Sequence, residues 1–134
     1  MSDNIQNKYE KRHFYSAGPE NVDVEVLEPV DYAYPGRETQ IEIIFPEFTS
    51  VCPWTGLPDF GTINITYVPD KTCVEFKSLK YYLHSFRNVG ILQEHVVNRV
   101  LEDLAELLKP ITIEVTGEFN ARGGIKTVIK ANYP

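Results

Sequence analysis

The chain has 134 residues, of which 43% are hydrophobic and 24% are charged, and its formal net charge is −6. This length and balance are typical of one soluble globular domain with a sizeable core. The acidic charge argues against a broad surface for nucleic acid, which would need a basic face. It does not exclude a small anionic ligand, because a few clustered lysines and arginines suffice for one phosphate group.

The first residues, MSDNIQNKYEKRHFY, are polar and lack the apolar stretch of a secretory signal. No apolar run approaches the roughly 18 residues that a membrane-spanning helix needs. We therefore expect a cytoplasmic protein with no membrane partner, in which Cys52 and Cys73 are free thiols. Cys73 is predicted to be a small buried residue. Residues 1–21 are predicted to form a polar arm, and residues 22–134 a single folded domain.

In chain order, the alternation of apolar and acidic residues in Val22–Leu27 predicts a short strand. Thr39–Phe45 predicts a more regular strand, which Pro46 is expected to end. The segment Thr49–Phe60, TSVCPWTGLPDF, contains two prolines and a glycine and is predicted to be an irregular loop. Gly61–Val68 alternates again and predicts a strand that buries Ile63, Ile65 and Tyr67 on one face.

Helical spacing of apolar residues begins at Ser78 and continues to about Asn88, with Gly90 as the expected stop. A second helix is predicted from about Glu94 to Lys109, where Pro110 ends it. Two further strands complete the pattern: Ile111, Ile113 and Val115 alternate with polar residues, and Ile125–Ala131 follows a turn formed by Ala121, Arg122, Gly123 and Gly124.

The resulting order of strand, strand, helix, helix, strand, strand predicts an α+β fold. Short turns between neighbouring strands favour an antiparallel four-stranded sheet with both helices on one face. Such a sheet keeps exposed edges and one uncovered face. We therefore expect a homo-oligomer in which copies of the sheet close a barrel-like core.

Cys52 lies in the Pro/Gly-rich loop, which is not a normal core position for a cysteine. It is either a buried loop residue or a nucleophile whose thiolate needs a nearby donor or proton acceptor. Asp59 follows seven residues later and could fold back beside the thiol. Asp59 could equally be a turn aspartate that follows Pro58.

Lys77 and Lys80 are three residues apart at the start of the first predicted helix, next to Ser78. Two ammonium groups at a helix N-terminus could hold a phosphate group, although a solvated lysine face is the commoner meaning of this spacing. Arg122 could add a guanidinium to such a site, and Gly123 and Gly124 would let the backbone come close to the ligand. The three residues could instead simply form a hairpin turn.

Glu94 is predicted in the first turn of the second helix, where the helix dipole favours an acidic residue without any function. A buried carboxylate would also accept hydrogen bonds from the ring N–H and exocyclic amine of a guanine-like base, and Gln93 could bind a second polar edge. No metal site is predicted, because His13, His84 and His95 are scattered and neither cysteine has metal-ligand spacing. The chain has no Rossmann or Walker motif.

The loop Cys52-Pro-Trp-Thr-Gly-Leu-Pro-Asp59 followed by Glu75-Phe-Lys-Ser-Leu-Lys-Tyr-Tyr82 resembles the nitrile reductases of the queuosine pathway. These are NADPH-dependent 7-cyano-7-deazaguanine reductases, and the resemblance extends from about Thr39 to Ala131 and is to the short, single-module form. It implies the tunnelling fold shared with GTP cyclohydrolase I, with residues 22–134 as the catalytic domain. It also implies active sites at the subunit interfaces of a homo-oligomer.

By position, the resemblance implies that Cys52 forms a covalent thioimide with the nitrile and that Asp59 is the proton donor. It assigns contacts with the deazapurine substrate to Val74, Glu75, Phe76, Gln93 and Glu94, and contacts with NADPH to Lys77, Ser78 and Lys80, with Arg122, Gly123 and Gly124 as a weaker suggestion. Phe76 stands where the family usually has serine or leucine, and Gln93 where histidine is common.

Three alternative functions remain open from the sequence. The first is a related amidinotransferase that forms the same thioimide on nitrile-bearing tRNA, although this would need a basic RNA surface and lack the two-lysine signature. The second is a zinc-dependent pterin enzyme of the same fold. The third is a binding module without catalysis. The sequence favours the reductase, which would bind a small molecule and no nucleic acid directly.

Overall fold

Four long strands of alternating apolar and polar residues form one antiparallel sheet in the computed structural model, which describes residues 16–134. The strands of this sheet are ordered β2-β3-β5-β6, and a separate small sheet pairs β1 with β4. The predicted α+β class is confirmed. The elements are β1 Pro29–Asp31, β2 Ile41–Val51, β3 Pro58–Val68, β4 Thr72–Val74, α1 Phe76–His84, α2 Gln93–Leu108, β5 Thr112–Arg122 and β6 Ile125–Tyr133.

The core lies between one face of the main sheet and the two helices. On β3, Ile63, Ile65 and Tyr67 are completely or almost completely buried, whereas Asn64 and Thr66 on the other face are partly exposed. Alternation along the strand therefore separates a core face from a polar face, as predicted. The helices cover the core face with their apolar stripes, which contribute Leu79, Tyr82, Leu83, Val97, Val100, Leu101 and Leu104 to the same cluster.

A polar contact joins the two helices on the outer side of this core. The Tyr82 hydroxyl donates to Oδ2 of Asp103 at 2.6 Å, and Nε of Arg99 donates to the same oxygen at 2.8 Å. Burial raises the pKa of Tyr82 above its ordinary value, and the neighbouring Asp103 carboxylate raises it further. The phenol therefore remains a neutral donor, and it sets the position of α1 relative to α2.

Val22–Leu27 was predicted to be a strand, and this prediction is wrong. The segment contains a 3-10 helix at Val24–Val26, in which Leu27 N–H donates to the Val24 carbonyl at 3.2 Å. Alternation would have buried Val24, but its side chain is 39% exposed, and the buried residues are Val22 and Leu27. Within residues 16–134 the segment has no neighbouring strand to pair with, and a local turn satisfies part of its backbone instead.

The strand that Pro46 was expected to end continues to Val51, and the predicted loop is correspondingly shorter. A register shift between Phe45 and Phe48 leaves Pro46 out of the hydrogen-bonded ladder with β3. A proline has no N–H to donate, so a bulge on an edge strand accommodates it. The irregular loop comprises only residues 52–57.

The first helix was predicted over Ser78–Asn88, but α1 begins at Phe76 and ends at His84. Phe86 is nevertheless completely buried, because the turns that follow the helix carry it into the core. The second helix and the last two strands lie close to their predicted positions. The strands β1 and β4 were not predicted, since three residues are too few for a periodic pattern.

Of the predicted polar arm, residues 1–15 lie outside the described residues, and residues 16–21 contact the domain. Ala17 N–H donates to the Asn88 carbonyl at 2.8 Å, and Gly90 N–H donates to the Ala17 carbonyl at 2.7 Å. The boundary between arm and domain at residues 21 and 22 stays a prediction. Neither helix within residues 16–134 is long and apolar enough to cross a bilayer.

Leu104 is completely buried in the middle of α2, whereas Leu107 on the same helix is half-buried. Leu104→Ala is therefore expected to lower the free energy of unfolding by about 2–5 kcal/mol, because it leaves a cavity in the core. Leu107→Ala is the matched control and should cost less than half as much. Urea unfolding followed by circular dichroism measures both, and equal losses would show that the core is not centred on this face of α2.

Candidate active site

The end of β2 places Cys52 beside the start of α2. Val51 N–H donates to the Val89 carbonyl at 3.1 Å, and Ile91 N–H donates to the Val51 carbonyl at 3.1 Å. These two bonds hold the last residue of β2 against the segment that leads into Gln93. Residues more than 35 positions apart in the sequence are thereby brought to one site.

The loop after β2 turns back within six residues. Cys52 N–H donates to the Leu57 carbonyl at 2.9 Å, and Gly56 N–H donates to the Cys52 carbonyl at 2.8 Å. Gly56 has a φ of 74°, a conformation that favours glycine. The closed loop holds Cys52 in place with only 5% of its surface exposed and returns the chain to β3 at Pro58.

Asp59, the second residue of β3, lies on the core face of the sheet and is only 6% exposed. Its Oδ1 accepts a hydrogen bond from Nη1 of Arg122 at 2.8 Å, which makes an ion pair at the end of β5. Burying a carboxylate is costly unless a donor or a cation compensates its charge. Arg122, whose side chain is half-exposed, supplies that compensation.

The surroundings of Cys52 favour a thiolate. Burial alone would raise the pKa of the thiol, but hydrogen-bond donors outweigh this effect, and the pKa is lowered from its ordinary value. The donors are the Thr55 hydroxyl, the backbone N–H groups of Trp54 and Thr55, and the Arg122 guanidinium. The same arginine therefore interacts with both the cysteine and the aspartate.

Cys52 and Asp59 open onto a cavity of about 340 Å³ between the loop, the start of α2 and the β5–β6 hairpin. Gln93 and Glu94 also line this cavity, so the structure brings these two predicted substrate residues to the predicted nucleophile. Thr127 on β6 donates a hydrogen bond to Oε1 of Gln93 and thereby orients the side-chain amide. Of the two interpretations of Glu94, the one that assumed a buried carboxylate is wrong in that respect, because Glu94 is exposed where it lines the cavity.

The other predicted substrate residues, Val74, Glu75 and Phe76, do not line this cavity. Glu75 is the N-cap of α1, and its carboxylate accepts from the N–H groups of Lys77 and Ser78, both at 2.8 Å. These backbone donors lower the pKa of Glu75. The helix N-terminus that could have held a phosphate group is therefore already occupied by a carboxylate of the same chain.

The structure does not bring all of the residues predicted to contact NADPH into one site. Ser78 is buried, donates to the Glu75 carbonyl at 2.7 Å and accepts from Glu28 N–H at 3.0 Å, so its hydroxyl is used within the fold. Lys77 and Lys80 are exposed and line a separate cavity of about 500 Å³. That cavity is also lined by Tyr81, His84, Ser85 and Arg87.

Arg122, Gly123 and Gly124 lie at the β5–β6 hairpin. Gly123 and Gly124 have φ values of 62° and 82°, which is the backbone that a two-residue hairpin turn needs. Their predicted turn is confirmed, and their predicted contact with NADPH stays a prediction. Cys73 was predicted to be buried, but it is half-buried, and like Cys52 it is a free thiol.

Within residues 16–134, no group of three or more histidine, cysteine, aspartate or glutamate side chains could hold a metal ion. Thr55 and Thr127 are the polar residues that sequence reasoning missed. Thr55 is three residues after Cys52 in a tight turn, where a hydroxyl commonly bonds to the nearby chain. Thr127 had no such signal, because its contact with Gln93 depends on tertiary structure.

The fold and the cavity define an α+β protein in which a cysteine of lowered pKa and a buried acidic residue line one cavity. A family model described as QueF-like protein matches residues 58–134. A solved archaeosine synthase, described as QueF-Like and in the apo form, superimposes with a TM-score of 0.62 at 21% identity. It covers 70% of this chain and 90% of its own, and at this identity it shows the fold alone.

Two curated relatives are named NADPH-dependent 7-cyano-7-deazaguanine reductase. The protein from Thermoanaerobacter pseudethanolicus is 58% identical over 96% of this chain and 97% of its own length. The protein from Caldicellulosiruptor bescii is 56% identical over 96% of this chain and 98% of its own length. The chain belongs to this family of reductases, as its sequence motifs predicted.

The lowered pKa of Cys52 predicts a thiol that reacts at lower pH than an ordinary cysteine. Iodoacetamide alkylation of a Cys73→Ser protein, followed over pH, should show this directly. Thr55→Val removes one donor and raises the pKa, so the alkylation rate at pH 7 is expected to fall about two- to tenfold.

The two alkylation rates should converge at high pH, where both proteins are fully thiolate. Thr62→Val on the polar face of the sheet is the matched control and should leave the rate unchanged. A Thr55→Val protein with the parent pH profile would contradict the assigned role of this hydroxyl.

Proposed function

We propose that this chain reduces the nitrile of 7-cyano-7-deazaguanine to the aminomethyl group, in the biosynthesis of queuosine for tRNA, with two NADPH consumed per nitrile. The observation that carries the proposal is the cavity in which the Cys52 thiol, with its lowered pKa, lies with the buried Asp59–Arg122 pair. The substrate in this proposal comes from the family, because its curated members are named for the reduction of 7-cyano-7-deazaguanine.

Cys52 acts as the nucleophile. A nitrile is a poor hydride acceptor, and addition of a thiolate to its carbon converts it into a thioimide, which is a better one. A new C–S bond forms, one C–N π bond breaks, and Asp59 delivers a proton to the nitrogen. Asp59 obtains that proton from the thiol of Cys52, so it acts first as base and then as acid.

When bound, NADPH would supply the two hydrides that this reduction needs, and an imine remains after the C–S bond breaks. Cys52 leaves as a thiolate, and its hydrogen-bond donors stabilise that leaving group as they stabilise the nucleophile. For the second protonation of the nitrogen, Asp59 first takes up a proton from solvent and delivers it within the same cavity. Exclusion of water protects the imine from hydrolysis to an aldehyde.

Glu94 and Gln93 recognise the base in this proposal. The two Glu94 oxygens accept from the ring N–H and the exocyclic amine, and Gln93 binds a second polar edge with the amide that Thr127 orients. Val74, Glu75 and Phe76 complete the substrate contacts. In support, Phe76 is 64% exposed and available to another surface.

Lys77 and Lys80 hold the phosphate groups of NADPH, and the donors present fit that group. Within the described residues neither lysine forms an ion pair with a carboxylate, and both line one cavity together with Arg87. In a chain with a net charge of −6, such a cluster of unpaired cations suits an anionic ligand. The same proposal includes Ser78, which lies in the family motif, and, as a weaker suggestion of the resemblance, Arg122, Gly123 and Gly124.

The complete site is proposed to form between subunits of a homo-oligomer with the tunnelling fold, in which sheets join into a barrel. The separation of the Cys52 cavity from the Lys77–Lys80 cavity supports this arrangement, because a second copy could bring the two together. Two large apolar side chains that line the Cys52 cavity are exposed as well, at 73% for Trp54 and 70% for Ile125. Such side chains mark surfaces that a partner covers.

The alternative amidinotransferase is not favoured, because the relatives at 55–58% identity are named as reductases. The archaeosine synthase is similar in fold, and its lower identity supports no shared reaction. The zinc enzyme and the binding module have no observation in their favour. We place the reductase in the cytoplasm, as an enzyme of a small free base rather than of nucleic acid.

Mixing the protein, the nitrile base and NADPH is expected to consume two NADPH per base, measured as loss of nicotinamide absorbance. Cys52→Ala should form no covalent adduct by mass spectrometry and should oxidise no NADPH, because no thioimide can form. Asp59→Asn is the companion variant, which should bind the base but turn over at least about a hundredfold more slowly. Turnover by Cys52→Ala would exclude the proposed chemistry.

The double variant Lys77→Glu with Lys80→Glu is expected to raise the KM for NADPH at least about tenfold, since each reversal replaces attraction with repulsion. Adduct formation with the nitrile should remain unchanged, because it needs no cofactor. Lys71→Glu, an exposed lysine elsewhere, is the control for overall charge.

Subunit mixing distinguishes a shared site from a site within one chain. Mixed oligomers of Cys52→Ala and the double lysine variant should recover part of the activity if each site takes residues from two subunits. No recovery in verified mixed oligomers would show that a working site takes Cys52 and the two lysines from the same chain, which would refute the shared site.

A further inference from the structure

Ser50 is a fully buried residue whose hydroxyl has no hydrogen-bond partner among the described residues. Buried polar groups nearly always find a partner, and an unpaired one lowers the stability of the folded protein. Unpaired groups of this kind are tolerated where they serve a reaction. Ser50 lies two residues before Cys52, at the end of β2.

The strand register places Ser50 directly opposite Asp59. The two residues are paired across β2 and β3, and both point to the buried side of the sheet. Residues in such positions have Cβ atoms about 4.5–5.5 Å apart, so rotation of a short side chain can join them. The neighbouring Thr49 hydroxyl donates to the Asp59 carbonyl at 2.8 Å and holds the strands together at this point.

Arg122 favours one of the two states that Asp59 needs in the proposed reaction. A guanidinium is a cationic donor without acceptor capacity, so its bond to Oδ1 stabilises the ionised carboxylate more than the neutral acid, and it leaves the O–H of the acid without an acceptor. A serine hydroxyl both donates and accepts. It can therefore hydrogen-bond to the carboxylate and to the protonated carboxylic acid.

We infer that Ser50 is a positioning residue for Asp59, which pairs with the carboxyl group when Asp59 carries the proton destined for the substrate nitrogen. In the structure, Asp59 is held by Arg122 and the Ser50 hydroxyl is unpaired. When Asp59 takes the proton of Cys52 and its attraction to Arg122 is lost, the Ser50 hydroxyl becomes its buried partner. The unpaired Ser50 hydroxyl destabilises the free enzyme, and it gains a partner when Asp59 carries the proton for the nitrile nitrogen. The inference rests on the proposed function, because it needs Asp59 to take up and release a proton.

Ser50→Ala tests this inference by separating stability from rate. Because the variant removes an unpaired buried hydroxyl, its midpoint of urea unfolding should equal or exceed that of the parent protein. Its kcat and its rate of thioimide formation should both fall about tenfold, while the KM for NADPH stays within twofold. A residue with a purely structural role would lower stability and leave these rates in place.

Ser50→Thr keeps the hydroxyl and should restore thioimide formation to within about threefold of the parent rate. Parent-like rates in Ser50→Ala would overturn the inference. A Ser50→Thr protein as slow as Ser50→Ala would overturn it too, because the hydroxyl would then not be what sets the rate. Failure of the parent protein to consume NADPH with the nitrile base would instead refute the proposed function itself.

Discussion

The two backbone hydrogen bonds between the end of β2 and the segment before α2 organise the site. They carry Val51 to the start of the second helix, and the residue after Val51 is the candidate nucleophile. Because the helix packs against β5 and β6, the hairpin that holds Arg122 and Thr127 is brought to the same place. The core thus orients a set of polar residues that come from five separate segments of the chain.

Electrostatics at the site depends on one arginine that interacts with two acidic groups. Arg122 compensates the buried charge of Asp59 and also favours the thiolate of Cys52. Its side chain is half-exposed, whereas the two groups that it serves are buried. A long cationic side chain that reaches inward from the surface can be drawn away by an anionic ligand, while the short buried residues stay in place.

The order of the main elements and the core face of β3 could be predicted, because alternation and helical spacing report burial along a single element. The strand predicted at Val22–Leu27 was wrong, since a short alternating pattern cannot show whether a partner strand exists. Pro46 was misread because its missing N–H is tolerated by a bulge on an edge strand. Of the site, the motif predicted Cys52 with Asp59, and the structure confirms that they share a cavity. Contacts such as that of Arg122 with Asp59 could not be predicted, because they join residues 63 positions apart through the register of β3 with β5.

Glu75 occupies the N-terminus of α1 with its own carboxylate, and this affects how a charged cofactor is captured. The first-turn N–H groups are directional, short-range donors, and they are not available to a phosphate group while Glu75 holds them. In the proposed cofactor site, capture then falls to lysine ammonium groups on flexible, solvated side chains, whose attraction is screened over about 8 Å at physiological ionic strength. The Cys52 side chain is buried, so mobile ions weaken its interactions less. In the proposed reaction, dissolved salt therefore acts mainly on the encounter with the reductant and less on the covalent step.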